Sequence, residues 1–294
     1  MKSKQLVAMA ALALLVALPA RATEVVSSNI VGYNKVALNN AYTMLGMQFQ
    51  TVGNANGSLS IGQIVPDQFV NGIDWSDDDF PFGAKMMLWN GTGYAQQYYW
   101  TGEVPSDIQA DLKDELELDD EVIYNNIWVD GDYLPVDPTL SVGTGFWILD
   151  TSADGTGKVC TSGEVKNDSV SIKLNQGYTM IANPYPVDLD LNTMTPTGLT
   201  AIDWSDDNFP FGASIRIWNG TGYSKQYYWT GTVPDDIQAD LKDELELDDE
   251  VVYNNIWVDG DYLPVSDKIP VGSGFWIRDD NANSETTSIS FTAP

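Results

Sequence analysis

The sequence predicts a mainly β protein built as two tandem antiparallel β-sandwich-like domains, each with one short acidic helix. Three observations carry that expectation. Residues 74–136 and 203–265 align without a gap over 63 positions and differ at ten of them. Their offset of 129 residues is about one ordinary domain's length. Between turn signals, most other segments are rich in aromatic and β-branched residues and alternate with the period of strands.

Residues 1–22 are expected to be a signal peptide. Lys2 and Lys4 are followed by an uncharged apolar run over residues 6–18, then Pro19, then Ala20-Arg21-Ala22 with small residues where a signal peptidase reads. That run is shorter than the roughly 20 residues a bilayer core requires. The expectation is export to the cell surface, medium or periplasm, with no membrane span in the mature chain. The two domains are then placed at 23–160 and 161–294, joined by a Ser-, Asp-, Gly- and Thr-rich connector at 151–163.

The repeat extends past its best-matched block. Tyr42-Thr43-Met44-Leu45 corresponds to Tyr178-Thr179-Met180-Ile181, and Val142-Gly143-Thr144-Gly145-Phe146-Trp147 to Val271-Gly272-Ser273-Gly274-Phe275-Trp276. Tyr42 precedes Asp74 by 32 residues but Tyr178 precedes Asp203 by 25, so a Gly-, Asn- and Ser-rich loop at 51–62 has grown by seven residues in copy one. Loops accept such growth at small cost. Strands are expected at 30–38 and 169–174. A hairpin is expected at 84–100 around Asn90-Gly91-Thr92-Gly93, whose glycines tolerate positive φ. Copy two repeats the turn as Asn219-Gly220-Thr221-Gly222.

Differences between the copies assign the hairpin's faces. Met86 and Leu88 become Ile215 and Ile217, while Met87 becomes Arg216 and Lys85 becomes Ser214. Period-two geometry puts the first pair on an apolar face and the second on the opposite face, which is expected to be solvated because it accepts charge. Trp89, Tyr94 and Trp100 share that second face by parity, as do Trp218, Tyr223 and Trp229. Flat aromatic faces stack on sugar rings, which makes these six residues the candidate ligand-binding set. The alternative is that the rings are covered by loops, by the sister domain or by another subunit.

A helix is expected at 106–118, with Ile108, Leu112 and Leu116 as its apolar stripe. Ser106 with Gln109, and Asp235 with Gln238, read as N-caps with capping boxes.

Composition removes most catalytic chemistry. The chain has no histidine, hence no Ser-His-Asp or Cys-His arrangement and no His-ligated zinc. Its one cysteine, Cys160, cannot form an internal disulfide, so packing must hold the domains. Fourteen Lys and Arg less the three in the leader leave 11 basic against 42 acidic side chains, a formal charge of −31. Such a charge repels nucleic acid and favours solubility. Carboxylate clusters suit hard cations. Asp74, Asp77 and Asp78, repeated as Asp203, Asp206 and Asp207, are the candidate calcium ligands, the alternative being turns on a solvated surface. No pair of acids set among aromatics singles out a glycosidase centre.

Gly177-Tyr178-Thr179-Met180-Ile181-Ala182-Asn183-Pro184-Tyr185-Pro186, with Val271-Gly272-Ser273-Gly274-Phe275-Trp276-Ile277 at the domain's end, resembles a pair of motifs in secreted bacterial β-sandwich repeat modules. Copy one departs from it, with Gly46-Met47-Gln48-Phe49 where Ala-Asn-Pro-Tyr would stand. The resemblance implies an exported, β-rich surface module and carries over no catalytic residue. The expected function is a non-enzymatic structural or adhesive component of the cell envelope or extracellular matrix, whose partners are other protein subunits. The alternative is a carbohydrate-binding protein whose partners are cell-surface glycans.

Overall fold

A computed structural model describes residues 30–39, 41–53, 57–67, 72–76, 83–98, 102–119, 121–150, 157–205, 211–248 and 250–294. The signal segment 1–22, Trp100, and four of the six candidate calcium ligands (Asp77, Asp78, Asp206, Asp207) lie outside the described residues.

The chain is mainly β, its paired strands antiparallel, with one acidic α-helix in each copy among the described residues. Copy one has a central sheet in the order β2 (Tyr42–Gly46), β9 (Gly145–Leu149), β6 (Lys85–Trp89), β7 (Tyr94–Tyr98). Beside it stand β1 (Val31–Ala37), β10 (Lys158–Val165) and β3 (Phe49–Gln50), with β5 (Val65–Asp67) also paired to β10. A ribbon of β4 (Leu59–Ser60) and β8 (Thr139–Leu140) completes the copy. In copy two the central order is β12 (Gly177–Ala182), β19 (Gly274–Asp279), β15 (Ser214–Trp218), β16 (Tyr223–Trp229), β17 (Trp257–Val258). Its companions are β11 (Val170–Lys173), β20 (Ser288–Phe291) and β14 (Met194–Thr197), and the ribbon is β13 (Leu189–Asp190) with β18 (Lys268–Ile269).

Alternation along the central strands builds one core per copy. Leu45, Met86, Phe146 and Ile148 point to one side and pack with Phe49, Leu59 and Val159. The same positions in copy two, Ile181, Ile215, Phe275 and Ile277, pack with Val170, Ile289 and Phe291. Extended backbone sends successive side chains to opposite faces, so every second residue is committed to each core. Residues 31–294 form one compact unit.

The join between the copies differs from the expected one. A connector was expected at 151–163 with the division after residue 160, but Lys158–Val165 is a strand paired along its whole length with β1. It is the counterpart of β20 and closes the first copy. The hand-over therefore falls at residues 166–169, between β10 and β11. Composition misled because Thr161, Ser162 and Gly163 read as loop; Thr161 is in fact buried, and a Cβ on Gly163 would lie 2.6 Å from the Gln50 carbonyl oxygen.

The helices α1 (Ser106–Glu115) and α2 (Asp235–Glu244) begin where expected but are capped otherwise. Pro105 and Pro234 occupy the N-cap positions and no side-chain cap bond forms. Gln109 donates instead to the Val104 carbonyl at 3.0 Å and accepts from the Tyr124 N–H at 3.4 Å, tying the helix to the segment that returns over it. Both helices end in a Schellman turn. Leu118 N–H reaches the Lys113 carbonyl at 2.9 Å, with Glu117 in the left-handed region at φ 52°. Leu112 and Leu241 anchor the helices on small clusters with Tyr124 and Tyr253.

Candidate functional site

The second face of each central sheet is not wet. Met44, Met87 and Trp147 of copy one meet Met180 and Trp276 of copy two in a shared apolar cluster, with Trp89, Tyr178 and Trp218 packed around it. Each sheet thus turns one face to its own core and the other to its sister. Met87 shares its face with Trp89, and Arg216 with Trp218, as period-two geometry predicts. That face is not solvated as the Arg216 substitution suggests, because the other copy covers it.

The seam is reciprocal. Trp89 Nε1 donates to the Tyr178 carbonyl at 2.9 Å, and its counterpart Trp218 Nε1 to the Tyr42 carbonyl at 3.0 Å. Trp89 meets Trp276 edge-on at 5.3 Å, and Trp218 meets Trp147 likewise at 5.3 Å. Gly46 N–H reaches the Gly272 carbonyl at 2.9 Å; Ala182 N–H reaches the Gly143 carbonyl at 2.8 Å. These paired contacts are related as across a molecular two-fold axis, while Gln48 adds an unreturned bond to the Tyr185 carbonyl at 2.7 Å, copy two having Pro184 at its place.

This geometry accounts for the Val-Gly-x-Gly segments. Gly143 and Gly272 turn with φ 86° and 78°. Gly145 and Gly274 are needed for close approach: a Cβ would stand 2.7 Å from the Ile181 carbonyl oxygen and 2.6 Å from that of Leu45, each on the opposite copy. They form a tight turn before β9 and β19, and that turn also fastens the two copies together.

Of the six candidate aromatic residues, Trp89, Tyr94, Trp218 and Tyr223 meet at or beside the seam. Trp229 does not: it is 8% exposed in the core of copy two, 5.3 Å from Trp257. The cause is a β-bulge. Trp218 pairs with Tyr223, but Ile217 pairs with Lys225, so one residue is skipped and Lys225, Tyr227 and Trp229 switch faces.

At one end of the seam Trp89, Tyr94, Tyr178, Arg216, Tyr223 and Trp276 line a cleft of about 240 Å³. Both copies contribute to it. Tyr94 and Tyr223 are its open rim, 39% and 47% exposed. The Trp147 and Trp276 indole N–H groups donate to their hydroxyls at 3.1 and 2.9 Å, which leaves each hydroxyl proton to donate elsewhere. Partial burial raises the pKa of both phenols, keeping them protonated. Arg216 lies over the Tyr178 ring with its guanidinium carbon 5.3 Å from the centroid. Its Nε is buried without a hydrogen-bond partner. Arg278 also approaches Tyr178, at 5.6 Å, but is held by both oxygens of Asp280 at 3.1 and 2.6 Å.

Sequence reasoning missed Tyr178 and Trp276 and used Arg216 only as a marker of wetness. A signal was present. Only three arginines occur in the chain, and Arg216 and Arg278 replace Met87 and Leu149 of copy one. Substitutions to a rare charged residue at adjoining positions of one copy mark where the copies have diverged in chemistry.

The two described acidic candidates, Asp74 and Asp203, each close a local turn. Asp74 accepts from the Ser76 N–H at 3.0 Å and hydroxyl at 2.6 Å, and Asp203 does the same with Ser205. These bonds, the hydroxyl's foremost, hold both carboxyls below the usual range. Among the described residues, no group of three or more Asp, Glu, Cys or His is placed to hold a metal ion. Larger hollows of about 660 and 770 Å³ run along α2 and α1 but are lined mainly by Asp, Glu, Gln and Lys, with no aromatic wall. The lone thiol, Cys160, is half-buried and sits 3.1 Å from the Tyr33 hydroxyl.

No protein-family model, curated protein or solved structure matches this chain.

Proposed function

We propose that the chain is an exported, non-enzymatic structural or adhesive component of the cell envelope or extracellular matrix. It acts through protein–protein contacts made by surfaces that the repeat presents twice. One observation carries the reading: the duplication is joined by a reciprocal Trp–Tyr–Gly seam, so two equivalent sets of outer faces are held in one compact unit. A body with paired equivalent faces suits assembly, because each contact can be made twice and weak contacts gain avidity. Strong negative charge opposes close association of copies, and divalent calcium at the acidic surfaces would relieve that repulsion. The Asp74 and Asp203 clusters remain the proposed calcium positions.

Sedimentation velocity over a wide concentration range, with calcium and with chelator, tests this. Concentration-dependent assembly that chelator reverses is the expected result. A monomer at every concentration in both conditions sinks the structural reading.

A second reading, carbohydrate binding, is favoured by the aromatic cleft. It requires one composite site per chain, not the two independent ladders expected from parity.

A further inference from the structure

We infer that the cleft between the copies binds one acidic sugar, a pyranose ring carrying a carboxylate, with Arg216 as its anion contact. This deepens the carbohydrate reading and rests on it. The walls are aromatic: Trp89 and Trp276 meet edge-on at 5.3 Å, Tyr178 adjoins Trp276 at 5.7 Å, and Tyr94 and Tyr223 close the rim. Such walls suit the C–H face of a sugar ring. A volume of about 240 Å³ is below the ~300–1,000 Å³ of drug-sized sites, so it admits one ring and not an enclosed oligosaccharide.

The charge requirement comes from Arg216. A guanidinium is planar, permanently charged and forked to match a carboxylate. Burying its Nε with no partner is unfavourable, and the ring of Tyr178 offsets only part of that cost. Arg216 lines the cleft, so a carboxylate entering it gains the guanidinium's charge, while the Tyr94 and Tyr223 hydroxyl protons are available to donate to ring hydroxyls. Arg278 is unsuited to the same task, since Asp280 already neutralises it. The chain's overall negative charge opposes any anion at long range. At physiological salt the screening length is about 8 Å, so distant carboxylates fade while a contact at Arg216 does not.

The related position on the other side of the seam supplies its own control. There Met87 stands where copy two has Arg216. Arg216→Met therefore installs a side chain that this fold already accommodates at the equivalent site.

The test titrates the full chain with galacturonic-acid oligomers and with neutral galactose oligomers, reading tryptophan fluorescence and calorimetric stoichiometry. Expected are one acidic ligand per chain, an affinity about tenfold or more above the neutral one, and loss of that preference in Arg216→Met at an unchanged melting temperature. Arg216→Lys, which keeps the charge but not the fork, should weaken acidic binding several-fold; it serves if the Met variant is unstable. Equal binding of acidic and neutral oligomers, or acid preference surviving in Arg216→Met, overturns the inference and leaves the carbohydrate reading standing. Binding of neither overturns both.

Discussion

The two hairpins of the central sheets, β6–β7 and β15–β16, have nearly the same sequence and are not folded in the same register. In copy one Met87 faces Gln96 and Lys85 faces Tyr98, with no bulge. In copy two Ile217 faces Lys225 and Arg216 faces Gln226, one residue out of step. Tyr98 therefore bridges to Val129 where its sequence counterpart's neighbour, Tyr228, pairs with Val258. Substitutions at a few positions explain the slip. Lys225 replaces Gln96 and bonds Asp267 at 2.7 Å, and the Tyr227 hydroxyl donates to the same carboxylate. Copy one has Pro138 at that place, and its Gln96 instead accepts from Lys85 at 3.2 Å. Because side chains alternate, one skipped residue exchanges the two faces. Tyr227 and Trp229 become core in copy two, whereas copy one buries Gln97 with its Oε1 unpartnered. The hairpins diverge where local polar pairs decide; the seam stays equivalent where packing decides.

The largest expected effect tests the equivalence of the seam. Trp147→Ala and Trp276→Ala each remove a nearly buried indole from the shared cluster. Each should cost about 3–5 kcal/mol in urea unfolding, the range for Trp truncation in cores. Similar values support a seam to which both copies contribute alike. A loss in one variant and none in the other would show that the symmetry is geometric only.

Much of this was legible in sequence and some was not, for identifiable reasons. Strand positions, the Asn-Gly-Thr-Gly turns and the helices follow from local chemistry: Asn90 Oδ1 accepts from Thr92 and Gly93 N–H at 3.0 and 2.9 Å, as such a turn demands. The cover over Trp89 and Trp218 depends on contacts between residues 89 and 176 positions apart and leaves no period in the chain. The bulge in β16 depends on Asp267, 42 residues from Lys225. The cleft needs both copies at once, so no single stretch encodes it. The repeat's own differences, read for charge, came nearest to revealing it.

Next in size are the glycines of the seam. Gly274→Ala places a methyl 2.6 Å from the Leu45 carbonyl oxygen, a backbone atom that cannot swing aside. About 1–3 kcal/mol of destabilisation is expected, as for overpacking elsewhere. Gly46→Ala is the sharper test, because copy two carries Ala182 at the equivalent position and a Cβ on Gly46 would stand 2.2 Å from that of Ala182. Copy one tolerates only Gly because copy two has Ala. In an Ala182→Gly background, Gly46→Ala should become nearly neutral; persistent destabilisation would deny the close approach.

The register difference predicts cross-links and a pH response. In a Cys160→Ser background, the pair Met87→Cys with Gln96→Cys should oxidise readily, as directly opposed residues do. Its sequence equivalent, Arg216→Cys with Lys225→Cys, should not, while Ile217→Cys with Lys225→Cys should. Reversal of that order refutes the slip. Asp267 is held below the usual carboxylate pKa by its bonds from Lys225 and Tyr227, the Lys225 bond foremost. A depressed pKa stabilises the fold above the ordinary value near 4, and the stabilisation is lost as pH falls below it. The pair is half-exposed, so about 1 kcal/mol or less is expected. Asp267→Asn should lower the urea midpoint at pH 6, and the difference from wild type should shrink as pH falls through the acid range and the wild-type carboxylate takes up its proton.

The smallest effect concerns the helices, where the copies agree most closely. Ser106 of α1 corresponds to Asp235 of α2, both at the first helical position after a Pro N-cap. An acid there faces the positive end of the helix dipole, worth about 0.3–1 kcal/mol at low salt. Against that, the new charge joins a chain already at −28. The dipole acts within one turn, whereas most of the chain's carboxylates lie further away and are screened at ordinary ionic strength. Ser106→Asp should therefore stabilise copy one slightly at 0.15 M salt, visible as a small rise in melting temperature, and the gain should shrink at very low salt as the distant charges are unscreened. A gain that instead grows steadily as salt is removed would mean that the local dipole dominates and that the acidic surface exerts no force on the helix end.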